Sequence, residues 1–340
     1  MEIILDILYL FVAAYTLYFL ALALRNLNDT RFKREKRYSQ YEEKDNLAVV
    51  IYSHNNKRTL ENLVRELKMQ DYPINNFKVF AILDNCSDGS QELFVNDSFV
   101  HVIDVKGVGT IGKDQAISIL LEQLSHDDLI DSYVFIDGDR SIAPDFLTTV
   151  NAALTKAHVI SGETIIDMKN LGPVDRVKAA YQKYHMNFIR KARSLFGLAS
   201  QADSGVFIIK QEIVKQIGDV DFKDIDTELK YSLLLSKIKF NCTYNPNIQT
   251  VVDSANYIFR KPRLSYRLNL FKNCIPELFS TNFTFTEHAL SLLYPNIWLV
   301  LIIYFAVLKH SLYYQFIIDF KMPLTMYGDF GDFQYVRIYI

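Results

Sequence analysis

Tyr133-Val134-Phe135-Ile136 is an unbroken apolar run that stops at Asp137-Gly138-Asp139-Arg140. A short run of this kind reads as a strand buried on both faces, the type found in parallel sheets. In an open α/β sheet, ligands bind beyond the carboxyl ends of the strands. Two carboxylates at that edge, with a glycine between them for a tight turn, can converge on one hard cation that also carries substrate phosphate oxygens. The plainer reading of the same residues is an Asp-Gly turn with two solvated acids. The neighbouring segments decide between the two.

Leu47 to Tyr52 reads as another buried strand, followed by the polar loop Ser53-His54-Asn55-Asn56. A helix with Leu60, Leu63, Val64 and Leu67 on one face comes next and ends at Asp71-Tyr72-Pro73. Lys78 to Leu83 is a strand that ends in Asp84-Asn85-Cys86-Ser87-Asp88-Gly89-Ser90, and Val100 to Ile103 is a third. A glycine-rich turn, Gly107 to Gly112, leads into a helix with Ala116, Ile117, Leu120 and Leu121 inward. Strands alternating with helices in this way predict a doubly wound, mostly parallel α/β sheet. Right-handed crossovers place the loops 53–56, 84–90 and 137–140 along one edge, a nucleotide site by position. Beyond it, strands are expected over 159–167, 206–209 and 242–252, and helices over 177–196 and 224–235.

The chain has 340 residues, half of them hydrophobic, and a net charge of −2, so no basic excess points to nucleic acid. Three scattered cysteines and seven histidines suggest neither a disulfide framework nor a metal spacing. The apolar residues crowd toward both ends. Ile3 to Leu24 is almost wholly apolar, about the length a bilayer core requires, and Arg25, Arg31, Lys33, Arg34, Lys36 and Arg37 come directly after it. The positive-inside rule then puts the chain beyond Arg25 in the cytoplasm. Arg260 to Phe279 alternates basic and apolar residues, which suits either an interfacial helix or an ordinary surface helix. Ala289 to Leu308 is a second membrane-length run. The expected division is an N-terminal transmembrane helix (1–25), a basic linker (26–46), a cytoplasmic catalytic domain (47–255), an amphipathic interfacial segment (256–286), a C-terminal transmembrane region (287–320) and a tail (321–340).

Taken in order, these motifs resemble the membrane-anchored inverting glycosyltransferases of family 2, nucleotide-sugar transferases of the GT-A fold. The likeness covers roughly Leu47 to Val252. Val50-Ile51-Tyr52-Ser53-His54-Asn55 is similar to the family's opening V-I-P-A-Y-N, with Tyr52 in place of proline. The segment from Asp84 to Ser90 is similar to its D-N-C-T-D-x-T variant, whose leading acid contacts the uracil. Lys113-Asp114-Gln115-Ala116 resembles the K-G-x-A segment near the diphosphate, and Asp137-Gly138-Asp139 stands where the metal-binding D-x-D stands. Asp203-Ser204-Gly205-Val206-Phe207 resembles the G-S-G-x-F segment facing the acceptor. The family's E-D motif resembles Ile225-Asp226-Thr227-Glu228, with Ile225 replacing the glutamate; this aligns the catalytic base with Asp226, and a shifted alignment with Glu228. No Q-x-x-R-W is present; Arg267, in Arg263-Leu264-Ser265-Tyr266-Arg267, occupies that region.

The resemblance implies an inverting hexosyltransferase at the cell membrane. It would use a nucleotide-sugar donor, with UDP the expected nucleotide, and a lipid-linked or saccharide acceptor. Mg2+ or Mn2+ would sit on Asp139 and Asp137; Tyr52, His54, Asn55, Asp84, Lys113 and Asp137 would bind the nucleotide. Ser204, Gly205 and Arg267 would face the acceptor, with Asp226 or Glu228 as base. A processive polysaccharide synthase is the alternative within the class, and a catalytically inactive nucleotide-binding membrane scaffold is the alternative outside it.

Overall fold

The computed structural model describes residues 2–27, 43–95, 97–106, 110–124, 127–166, 171–200, 205–217, 227–252, 264–278, 282–293 and 309. The chain divides into two compact units, one of residues 1–21 with 294–340, the other of Leu22–Leu293.

The larger unit is built on an eight-stranded sheet. Its strands are β1 (Leu47–Ser53), β2 (Phe77–Asp84), β3 (Val100–Val105), β4 (Ser132–Asp137), β5 (Arg140–Ile142), β6 (Val159–Ile166), β7 (Val206–Lys210) and β8 (Thr243–Val252), in the order β3-β2-β1-β4-β7-β6-β8-β5. The first half is parallel, as the alternation of strands and helices predicts: β1 pairs with β2 and β4, and β2 with β3. Successive side chains of β1 point to opposite faces. Val49 and Ile51 join Leu60, Leu63 and Leu67 of the helix Lys57–Lys68, together with the helix Phe146–Leu154. Ala48 and Val50 join Ala116 and Leu120 of the helix Lys113–Leu124, and Ile213 of the helix Gln211–Ile217. Leu60, Leu63 and Leu67 have no exposed surface, and each such burial stabilises by about 1.5–3 kcal/mol.

The second half departs from the mostly parallel sheet expected. β7 enters between β4 and β6 and runs antiparallel to both, β5 is antiparallel to β8, and only β6–β8 is parallel. A strand's direction follows from the end of the sheet to which the preceding connection delivers the chain. Here that connection is one long helical stretch, Pro173–Leu195, in which His185–Arg190 is wound as a π-helix. The sheet is therefore mixed.

The helix Glu2–Leu27 begins in one unit and ends in the other. Its side chains are described at Leu10 and from Ala13 onward, and among the described residues no helix is long and apolar enough to cross a membrane. Most of the transmembrane region expected over 287–320 lies outside the described residues, as do the side chains of residues 2–9, 11 and 12 in the helix expected over 1–25. Arg25 donates from Nε and Nη2 to Leu195 O (3.2 and 3.1 Å), and Asn26 Nδ2 to Phe188 O (3.0 Å), so this helix end is fastened to the π-helix region. The helix Phe283–Ser291 straddles the 286/287 boundary and belongs to the folded unit: Phe285, Ala289 and Leu292 pack with Leu233. A buried, bidentate Arg193–Glu287 pair (2.6 and 2.6 Å) ties it to the helix Lys191–Leu195. Residues 294–308 and the 321–340 tail lie outside the described residues.

Candidate active site

Strand register brings the predicted loops together. Tyr52 sits opposite Ile82 on one side and Asp137 on the other, so the carboxyl ends of β1, β2 and β4 open side by side. Gly138 must be a glycine for want of space: its N–H donates to Tyr52 O at 2.7 Å, and a Cβ there would meet Ser53 Cβ at 2.9 Å.

The loops after β1 and β2 interlock. Asn55 and Asn85 both adopt left-handed backbone (φ 54° and 49°), a conformation asparagine tolerates better than most residues. Asn55 Oδ1 accepts from Ser87 N at 2.7 Å, and Asp88 Oδ2 accepts from Lys57 N, also at 2.7 Å. His54 Nδ1 lies 2.6 Å from Asp84 O. His54 and Asn55 thus brace the rim of the cleft.

Asp84 faces inward. Its side chain has no exposed surface and its two oxygens are taken by three donors: Tyr52 Oη at 2.8 Å and Gly112 N at 2.9 Å on Oδ2, and Ile111 N at 3.1 Å on Oδ1. Burial first, and then the Asp84 carboxylate, push the Tyr52 phenol well above its ordinary value, so it stays protonated and donates. The contact with a base that the resemblance implies for Asp84 would require these bonds to open. In the arrangement observed, Asp84 instead fixes the backbone just ahead of Lys113.

Lys113 reaches the strand-end acids. Its Nζ lies 2.5 Å from Asp137 Oδ1. Arg140, which sequence reasoning passed over, completes the cluster: Nη2 is 3.3 Å from Asp137 Oδ2 and Nε is 3.0 Å from Asp139 Oδ1. Only its position in Asp-Gly-Asp-Arg could have flagged it. Burial raises the Asp139 carboxyl above its ordinary value, against the pull of Arg140. Asp139 Oδ1 is buried and, beyond this ion pair, finds no hydrogen-bond partner, so a hard cation could use it. Among the described residues no group of three or more His, Cys, Asp or Glu side chains could hold a metal, so a cation on these two acids would fill the rest of its shell from water or from a ligand's oxygens.

The acceptor side is only partly described. Gly205 precedes Val206, which pairs with Ile136, so it lies next in register to Asp137. A Cβ on Gly205 would come within 2.5 Å of Thr164 Oγ1 and 3.2 Å of Arg140 Cζ and Nη2. Arg267 lies on the helix Leu264–Cys274 and donates to Ser291 O at 3.3 Å, joining that helix to Phe283–Ser291. Ser204 and Asp226 lie outside the described residues; Glu228 is in the first turn of the helix Thr227–Lys237, but its side chain is outside them too.

A mannosyltransferase from Pyrobaculum calidifontis, solved with GDP-Man and Mn2+, superposes with a TM-score of 0.56 at 15% identity, over 95% of this chain and 93% of that one. At that identity the match shows a shared fold and nothing finer. TarS of S. aureus matches over 71% of this chain and 41% of its own length (13% identity, TM-score 0.46). A 1–349 fragment of TarS with UDP matches over 71% and 68% (13% identity, TM-score 0.45); both TarS matches are too distant to add to this. No protein-family model and no curated protein matches the chain.

Proposed function

We propose that this chain is an inverting glycosyltransferase that moves a sugar from a nucleoside-diphosphate donor to a membrane-proximal acceptor, lipid-linked or saccharide. The observation that carries the reading is the junction of β1, β2 and β4, where Lys113 and two strand-end carboxylates converge behind interlocked polar loops. That is a place for a polyanion and its counter-ions, on a fold shared with a structure that holds GDP-Man and Mn2+.

Each residue has a separate task. Asp84, to which Tyr52 donates, holds the amides of Ile111 and Gly112, which aims Lys113 at the cleft. Lys113 offers a compact positive charge to the diphosphate. Asp137 and Asp139 would hold Mg2+ or Mn2+, which when bound supplies charge neutralisation for the departing nucleotide. The base is Asp226: the helix that starts at the next residue, Thr227, favours an ionised carboxylate at its N-terminal end. Glu228 is the alternative. The acceptor hydroxyl gives its proton to that carboxylate and attacks the anomeric carbon opposite the leaving nucleotide, which inverts the centre. Membrane anchoring through residues 1–25, with the catalytic unit in the cytoplasm, belongs to the same proposal; it draws support from the basic residues that come after Leu24.

The test is a donor screen on the full chain in detergent. Donor hydrolysis or transfer should appear with at least one UDP- or GDP-sugar when Mn2+ or Mg2+ is present. Silence across the panel, with no nucleotide binding by calorimetry, would leave the fold without this function.

A further inference from the structure

The carboxylates of Asp137 and Asp139 already have cations of their own. Arg140 bridges them and its side chain is 5% exposed; Lys113 sits on Oδ1 of Asp137. These ion pairs are in place before any ligand arrives. The two cations differ in how they are held. Arg140 opens β5, where it pairs with Val252 of β8, and its guanidinium lies against Gly205, at a spot where even a Cβ would crowd it. Lys113 opens the helix Lys113–Leu124 and has a long flexible stem at the cleft, with 19% of its side chain exposed.

We infer that Arg140 and Lys113 are resident counter-ions of the Asp137–Asp139 pair, so that a divalent cation enters this site only together with a nucleoside diphosphate. The inference rests on the function proposed above and adds an order of events to it. A bare dication approaching Asp139 meets the fixed Arg140 charge 3.0 Å from the oxygen it needs. A diphosphate changes this in two ways: it draws Lys113 off Asp137, and it brings negatively charged oxygens that hold a dication better than the waters they replace. Linkage makes the effect reciprocal, so the nucleotide binds more tightly with the metal by the same factor as the metal does with the nucleotide.

The experiment follows free Mn2+ by its electron paramagnetic resonance signal while the full chain in detergent is titrated, with and without UDP or GDP. Saturating nucleotide should tighten Mn2+ binding to the native chain by about tenfold or more. Without nucleotide, Arg140→Met should bind Mn2+ about tenfold more tightly than the native chain, and nucleotide should add less to it. Should near-ultraviolet circular dichroism show that Arg140→Met has not folded, Lys113→Met replaces it: it removes the more exposed cation and should shift nucleotide-free Mn2+ binding the same way. If nucleotide binds but the folded variant holds Mn2+ no more tightly than the native chain, the inference fails alone. If the native chain binds neither UDP nor GDP at any Mn2+ concentration, the function reading fails and takes the inference with it.

Discussion

Asp84→Asn separates a structural role from a ligand-binding one. In the native chain Asp84 Oδ1 holds Ile111 N, and Oδ2 holds Gly112 N and Tyr52 Oη. Asparagine keeps one acceptor oxygen and turns a donor toward the other side. Its less costly placement aims the amide nitrogen at Ile111 N–H, which loses one charge-assisted bond outright and demotes the other two to neutral ones. Charge-assisted bonds contribute about 1.5–3 kcal/mol and neutral ones about 0.5–1.5 kcal/mol, so losing the Ile111 bond and demoting the Gly112 bond should cost the loop's closed state about 2.5–4.5 kcal/mol. That corresponds to roughly 60- to 1,600-fold in the opening equilibrium. Hydrogen exchange at the Ile111 and Gly112 amides, measured without nucleotide, reads this directly. Asp88→Asn is the control, because Asp88 holds Lys57 N and Ser90 and should leave those two amides alone. Nucleotide affinity would fall in Asp84→Asn under either role. Unchanged exchange at Ile111 and Gly112, beside weakened nucleotide binding, would refute the loop-fixing role and restore the base contact that the resemblance implies.

Four further outcomes are expected. Gly205→Ala should cost about 1–3 kcal/mol in urea unfolding, because the new Cβ meets Thr164 Oγ1 and the Arg140 guanidinium; adding Thr164→Ala should return part of the loss. Asp226→Asn should leave nucleotide affinity within a few-fold and cut transfer by about 10² or more, while Glu228→Gln costs less; the reverse pattern would move the base to Glu228. EDTA and Asp139→Ala should each weaken UDP or GDP binding in calorimetry, and undiminished affinity in both would remove the metal from the mechanism. The Lys68 ammonium, at 2.7 Å, holds the Asp97 carboxyl below its ordinary 3.8, so this pair stabilises the fold fully above that pH and progressively less as pH falls through the depressed value; Asp97→Asn should flatten that part of the acid-unfolding curve.

Local pattern alone accounts for seven of the eight strands, for the helices Lys57–Lys68 and Lys113–Leu124, and for the edge where the candidate site lies; the short β5 and the helices Phe146–Leu154 and Gln211–Ile217 escaped it. Apolar runs such as Val134-Phe135-Ile136 report burial on both faces of a sheet, and the polar residues that end them mark the strand ends whatever the neighbours are. The spacing of Leu60, Leu63, Val64 and Leu67 likewise carried its own helix and its buried face. Strand direction was different, because the antiparallel entry of β7 between β4 and β6 depends on a connection more than thirty residues long that no local period encodes. The side chains at the site were also settled only in three dimensions. Asp84 and Asp137 look alike in sequence, each an acid after a buried strand. One is sealed by amides 27 and 28 residues further on, and the other stays at the cleft against Lys113. Arg140 reads as an ordinary basic residue until β5 pairs with β8 and Gly205 leaves room for a guanidinium between the two acids. A carboxylate's fate depends on which donors reach it, and those donors come from parts of the chain that only the closed sheet brings together.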